Sequence, residues 1–270
     1  MDAPYPTREN REAERQKRFR AQYIAATPSW YRGEYHLAFM LAVTLGTIAF
    51  CWSRLDHPTV YEWLMLVPIF LFGNWVEWAG HRYLLHRPVK GLEMVYKRHC
   101  GVHHQFFTDH DLTYKGQKEW RALLFPPFAP MAFLLMALPP ALVAGALWSA
   151  NAAYIAMLGM AGYYLMYEGL HTLSHLSDER YPYLRHIPLV NTVRRMHVTH
   201  HKLGFMQTRN FNLTFPLCDA RFGTSDLDRG VLGTLFNGPS NAQARRDLRP
   251  DRPPAEFGPA EDRPAGHRPA

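Results

Sequence analysis

The sequence predicts an all-α, polytopic membrane protein with about four transmembrane helices and a cytoplasmic helical cap. Three observations predict it: a long uncharged run, a one-sided distribution of basic residues, and four histidine clusters at the same ends of the apolar runs. Ala122 to Tyr167 contains 46 residues with no Asp, Glu, Lys, Arg or His, whereas one span needs about 20. The run is expected to cross twice, turning at Trp148-Ser149-Ala150-Asn151. Upstream, Leu37 to Trp52 is apolar throughout, and Val60 to Trp78 carries only Glu62, Asn74 and Glu77 near its ends. Buried core helices of a soluble globule are the competing reading, but so long an uncharged run is hard to place in a chain of 270 residues.

In chain order, residues 1–35 mix seven basic and five acidic side chains with Phe19, Tyr23, Ile24 and Trp30, which predicts a short interfacial helix. No secretory signal is expected there, because the first apolar run begins after a charged stretch. Residues 36–238 are expected to form one membrane-embedded domain. Its third span contains Pro126, Pro127, Pro130, Pro139 and Pro140, which predict an irregular path. Residues 239–270 carry seven prolines and alternating charges with no apolar face, and are expected to be disordered. In this layout the far-side loops hold only Arg54, and the other 29 of 30 basic residues lie on one side. The positive-inside rule then puts both termini, and whatever the loops build, in the cytoplasm. The seven tryptophans fall near span ends, as membrane interfaces favour.

The formal charge of +7 is read as this membrane bias, and no nucleic-acid partner is expected. Three cysteines without C-x-x-C spacing argue against a disulfide scaffold and a thiolate zinc site.

Ten of the 15 histidines lie in four clusters: His81/His86, His99/His103/His104, His171/His175 and His197/His200/His201. On a helix, residues i, i+3 and i+4 share a face, so most members of each cluster can aim at one point. His86 and His104, five residues after His81 and His99, require local unwinding, and Pro88 favours a break after the first pair. All four clusters sit at or beyond the inner ends of the spans, where they can converge. Ten nitrogen donors suit two metal ions with about five imidazoles each. The ligand type alone does not separate iron from zinc, copper or nickel, and paired pH-sensing histidines are an alternative.

Glu77, four before His81, and Glu168, three before His171, are expected to accept the second ring N–H of those imidazoles. Direct ligation and a snorkelling interfacial acid are the other readings. Asp178, after His175, and Asp109 and Asp111, after His104, are lesser candidates of the same kind. His36, His57, His110, His186 and His267 are not expected to be ligands.

The series His81-x4-His86, His99-x3-His103-His104, His171-x3-His175, His197-x2-His200-His201 resembles the histidine boxes of the fatty acid hydroxylase and sterol desaturase superfamily. Asn212 and the run Phe215-Pro216-Leu217-Cys218-Asp219 leading to Phe222-Gly223-Thr224 are similar to that family's closing Asp-x-x-Phe-Gly-Thr segment. The resemblance covers roughly residues 60–225. It implies two irons held by the ten histidines, with zinc as a possible substitute in purified protein, and dioxygen as co-substrate. It also implies hydroxyl insertion into an acyl chain of a fatty acid or complex lipid. Electrons would come from an external donor, a b-type cytochrome or a ferredoxin with its reductase, because 35 amino-terminal residues are too few for a fused haem carrier. The layout is closest to the fatty acid 2-hydroxylases. Its second box has a three-residue gap where that branch usually has two, which leaves sterols, carotenoids and sphingoid bases open as substrates and desaturation open as the reaction. A metal store, a sensor or a zinc hydrolase is the reading of another class, and a zinc hydrolase normally uses three protein ligands.

Overall fold

The computed structural model describes residues 7–241, 244 and 245. Among these residues all regular structure is helical; no strand forms, only the isolated bridges Thr108–Asp111 and Leu227–Ala244. Helix α1 (Arg8–Ala26) is opened by Thr7, whose hydroxyl accepts from the Asn10 N–H. The amphipathic helix predicted near the amino terminus therefore forms. Its apolar stripe, Phe19, Tyr23 and Ile24, is turned onto Phe106, Phe107, Ala122 and Leu123 of the cap rather than left free for a lipid surface.

The four expected apolar helices follow in order: α2 (Gly33–Ser53), the pair α3 (Val60–Leu64) and α4 (Leu66–Gly80), α8 (Ala129–Leu147) and α9 (Ala150–Ser174). The short elements α5 (Glu93–Arg98), α6 (His104–Phe106) and α7 (Trp120–Leu123) lie between α4 and α8. Beyond α9 come α10 (Val190–His200), α11 (Leu217–Arg221) and α12 (Gly230–Leu235). Helix α9 is the central element, packed against α2, α4, α8 and α10.

Among the described residues, only α2 and α8 are long and apolar enough to cross a membrane by themselves. Of their most apolar stretches, 22% and 17% are buried within the fold, unlike the core helix of a soluble protein. Phe39, Leu45 and Phe50 on α2 and Leu135, Met136 and Leu142 on α8 are exposed, as are Val67, Leu71 and Phe72 on α4. Helix α4 has only 15 residues, and the 25-residue α9 carries Glu168 and His171 in its buried last turns. The irregular path expected of the proline-rich segment is confined to its start. Pro126 and Pro127 precede α8 and Pro130 lies in its first turn, where no N–H is needed, while Pro139 and Pro140 sit inside an uninterrupted helix.

The turn between α8 and α9 falls at Trp148 and Ser149, as expected. Ser149 Oγ accepts from the Ala152 N–H (3.0 Å) and donates to Glu62. Glu62 also closes a capping box with Thr59 at the start of α3, and Asn151 exchanges hydrogen bonds with the Asp56 backbone (2.7 and 2.9 Å). The two short loops at this end are thus clipped together by side chains that would otherwise leave helix-terminal N–H groups unpaired. The tail expected to be disordered, 239–270, lies outside the described residues apart from 239–241, 244 and 245. Within that part, Asn241 accepts from Arg195 Nε (3.0 Å) and the Arg245 N–H donates to Asp226 O (2.9 Å).

Helices α4 and α9 approach closely at Gly73, where an added Cβ would lie 2.7 Å from the Tyr163 ring. Gly73→Ala is expected to push that ring aside and cost about 1–3 kcal/mol, seen as a lowered unfolding midpoint in detergent.

Candidate metal centre

Each histidine cluster is placed by a helix end. His171 and His175 occupy the last turn and cap of α9, and His197, His200 and His201 the last turn and cap of α10. In the first two clusters the expected local unwinding takes the form of a widened turn. His81–Leu85 and His99–His103 are π-helical turns, closed by i+5 hydrogen bonds from the His86 N–H to His81 O (3.2 Å) and from the His104 N–H to His99 O. A turn closed at i+5 stacks residue i+5 over residue i, so His86 comes over His81, where the helix then ends before Pro88, and His104 comes over His99, where it runs on into α6.

The ten rings meet in one buried mass, each no more than 8% exposed. His81, His86, His99, His104 and His200 each offer a ring nitrogen within 4.8 Å of the others, and His103, His171, His175 and His197 form a second such group. His201 stands between the groups, its ring 4.3 Å from that of His104 and 4.4 Å from that of His197.

The tautomers follow from the main chain. Nδ1 of His81, His103, His175, His200 and His201 faces the carbonyl oxygens of Phe211 (2.5 Å), Ala122 (3.1 Å), Leu112 (2.7 Å), Arg209 (2.8 Å) and Phe107 (2.6 Å) respectively. A carbonyl only accepts, so each Nδ1 carries the hydrogen and each Nε2 is a bare lone pair. These lone pairs point at other Nε2 atoms: His81 to His99 at 3.0 Å, His200 to His86 at 3.1 Å, His175 to His197 at 2.9 Å and His103 to His171 at 3.2 Å. His99 Nε2 has His81, His86 and His104 all within 3.1 Å, and one N–H cannot serve three neighbours. His201 Nε2 is buried without any partner. Converging, unprotonated nitrogens of this kind fit metal cations, and the two groups can each hold one.

Burial keeps these rings neutral. It pushes His103 down to about 3 and His200 to about 4, although the carbonyls of Ala122 and Arg209 pull the other way. His86, His99, His104, His197 and His201 are driven well below the usual imidazole range by burial first and by neighbouring imidazoles second. Beside them lies a cavity of about 470 Å³. Its wall is mostly apolar, from α4, α5, α8 and α9, and it reaches His81, His99, His103 and His171. Leu92, Met94, Phe128 and Met136 both line it and are exposed at its rim.

The expected carboxylate partners act elsewhere. Glu77 does not accept from His81, whose Nδ1–H is taken by Phe211 O. It accepts instead from the Leu213 and Thr214 N–H groups and from the hydroxyls of Thr214 (2.6 Å) and Tyr163 (2.5 Å). Glu168 accepts from the Phe125 N–H (3.2 Å) and Tyr164 (3.0 Å), not from His171. The spacing put carboxylate and imidazole on one helix face, but the Phe211 carbonyl reaches the His81 ring first, and Glu168 is taken up by Phe125 and Tyr164. Asp178 pairs with Arg194 (2.5 Å) and Asp111 with Arg20 (3.0 Å) and Lys115 (2.6 Å). His36 is tied to Tyr31 and Phe125 O, His110 to Glu12 and His186 to Arg185, and His57 is exposed. His267 lies outside the described residues.

Two features escaped the sequence. Cys100 Sγ lies 3.4 Å from His86 Nδ1, next in sequence to a ligand candidate but with no motif to mark it. Segment 209–226, the closing motif, forms a buried polar knot on α4. Asn74 donates to Phe215 O (2.7 Å), and Asp219 accepts from the Phe211 (3.0 Å) and Asn212 (2.7 Å) N–H groups and from Thr224 (2.6 Å). Burial pushes the Asp219 carboxyl up to about 6, and these donors hold it from going higher. A polar amide in an apolar helix, Asn74, was the available signal. Gly223, at φ +69°, allows the turn that brings the Thr224 and Ser225 N–H groups back to Asp219 O.

Unfolded imidazoles take up protons near pH 6.5, whereas the buried ones do so only at much lower pH. The stability these rings contribute to the metal-free protein is therefore fully present above about pH 7.5 and is lost as pH falls from about 6.5 towards 4. His200 alone accounts for on the order of 3 kcal/mol across that window. Unfolding midpoints of the metal-free chain in detergent should fall steadily over that range; a flat profile would contradict a neutral buried cluster.

The family model described as fatty acid hydroxylase matches residues 66–224, more than half of the chain and all ten clustered histidines. No curated protein and no solved structure matches it. The matched region begins with α4 and ends at Thr224, so it takes in both histidine groups, the wall of the cavity and the polar knot. By this match the chain belongs to the fatty acid hydroxylase family, within the superfamily of lipid hydroxylases and desaturases.

Proposed function

We propose that the protein is an integral membrane, multi-pass hydroxylase that inserts a hydroxyl group into an acyl chain of a fatty acid or complex lipid. The observation that carries this reading is the contact between the two histidine groups and the apolar cavity, which touches His81 and His99 of one and His103 and His171 of the other. Ten neutral, oriented imidazoles suit two irons, and such a pair, when bound, supplies an oxidant from dioxygen strong enough for an unactivated C–H bond. The reaction consumes one dioxygen, two electrons and two protons, and yields the alcohol and water.

The chain's own residues do the rest. Carbonyls of Phe107, Leu112, Ala122, Arg209 and Phe211 hold five rings with Nε2 inward, so no ligand has to reorient. Apolar side chains of α4, α8 and α9 receive the lipid chain and exclude water from the reacting carbon. Leu92, Met94, Phe128 and Met136 form an apolar rim through which a chain enters sideways from a bilayer. In this reading α2, α3–α4, α8 and α9 all cross, the clipped loops at 53–59 and 148–151 face the far side, and both termini and the metal centre are cytoplasmic. An external b-type cytochrome or ferredoxin system would deliver electrons to the basic cytoplasmic face.

Cells grown in labelled dioxygen with and without the intact gene test this reading. A lipid gaining one labelled oxygen is expected only with the gene, whereas a loss of two mass units marks desaturation instead. His200→Ala and His175→Ala are each expected to abolish the product and to lower bound iron. Undiminished product from both variants would defeat the assignment.

A further inference from the structure

The carbonyls that orient His81 and His175 share a feature that the other orienting contacts do not need. A peptide unit joins the C=O of one residue to the N–H of the next, and charge applied at one end is felt at the other through the amide resonance. The C=O of Phe211 accepts from His81 Nδ1 (2.5 Å), and the N–H of the same peptide, that of Asn212, donates to Asp219 Oδ2 (2.7 Å). The C=O of Leu112 accepts from His175 Nδ1 (2.7 Å), and the N–H of its peptide, that of Thr113, donates to Asp111 Oδ1 (3.1 Å). His200 offers a contrast, since the peptide of Arg209 O gives its N–H, on Asn210, to a plain carbonyl, Thr224 O (2.9 Å).

We infer that Asp219 and Asp111 are positioning residues, one for each histidine group, each acting on a ligand imidazole through a single peptide bond. A carboxylate on the peptide N–H makes its C=O a stronger acceptor. The imidazole Nδ1–H is then held more firmly, and Nε2 becomes a more basic ligand atom. The arrangement does by relay what a carboxylate touching the ring would do directly, which is why Glu77 is not required on His81. Asp219 serves the group of His81, His86, His99, His104 and His200; Asp111 serves that of His103, His171, His175 and His197.

Cobalt(II) titration of the full chain in detergent micelles, against a competing chelator and followed by its visible bands, tests the inference. The wild type takes up two equivalents. Asp219→Asn weakens, by about ten- to a hundredfold, the equivalent that His81→Ala removes, and leaves the other within about twofold. Asp111→Asn does the same to the equivalent that His175→Ala removes. Arg20→Gln deletes an ion pair of Asp111, together with the Arg20 bonds to Glu119 and Thr113 O, but keeps the bond from the Thr113 N–H to Asp111, and moves neither equivalent by more than about twofold. The inference falls if either aspartate variant spares both equivalents or weakens both alike, or if Arg20→Gln loses as much as Asp111→Asn. Should Asp219→Asn fail to fold, the Asp111 variants decide the matter by the same criteria. The inference rests on the two-metal reading of the groups; a wild type binding fewer than two equivalents overturns that reading itself, and the relay with it.

Discussion

Ten imidazoles are held with ring nitrogens about 3 Å apart, and much of the buried polar structure around them serves to keep them there. Four helix ends supply the rings, but a helix end alone leaves a ring free to turn away. The main chain prevents that turn at five of the ten, by offering carbonyls that only an N–H can meet. Those carbonyls come from three segments, 107–112, Ala122 and 209–211, all of them outside the helix ends that carry the rings. The histidines therefore specify the centre, and the loops between them specify its protonation.

This division explains why so much buried polarity lies outside the ligands. Asn74, Glu77, Asn210, Asn212, Thr214, Asp219, Thr224 and Asp226 are all nearly inaccessible, and their hydrogen bonds tie residues 209–226 to α4 and α10. An apolar packing of the same stretch would bury as much surface but would leave the carbonyls of Arg209 and Phe211 with no fixed direction. Polar groups are expensive to bury unless they are paired, and here the pairing itself sets the geometry. At the opposite end of the helices, Glu62, Ser149, Asn151 and Asp56 fix the loops in the same way, so α9 is held at both ends while its flanks stay apolar.

Much of this was legible in the sequence. The uncharged run from Ala122 to Tyr167 and the apolar stretches before it mark the four long helices, because helix length and apolarity are local properties. The turn at Trp148-Ser149 was legible for the same reason. The ten histidines were legible because spacing on a helix determines which side chains share a face. What was not legible is non-local. Glu77 and Glu168 sit where spacing allows them to touch His81 and His171, yet Phe211 and the neighbouring Nε2 atoms occupy those positions first. A backbone carbonyl has no letter in the sequence, so no pattern marks it as a partner. The aromatic stripe of α1 could equally have faced lipid or protein, and only the presence of Phe106 and Phe107 beside it decides for protein.

The two π-helical turns bear on how centres of this kind are found. A helix can take in a supernumerary residue as a widened turn and resume its course, so the written length of a histidine box and the spatial register of its rings are separate quantities. The three residues between His99 and His103 lengthen the first, and the widened turn still sets His104 over His99. Pattern searches that demand a fixed gap would pass over such a chain, whereas a criterion that admits one bulged residue per box would keep it.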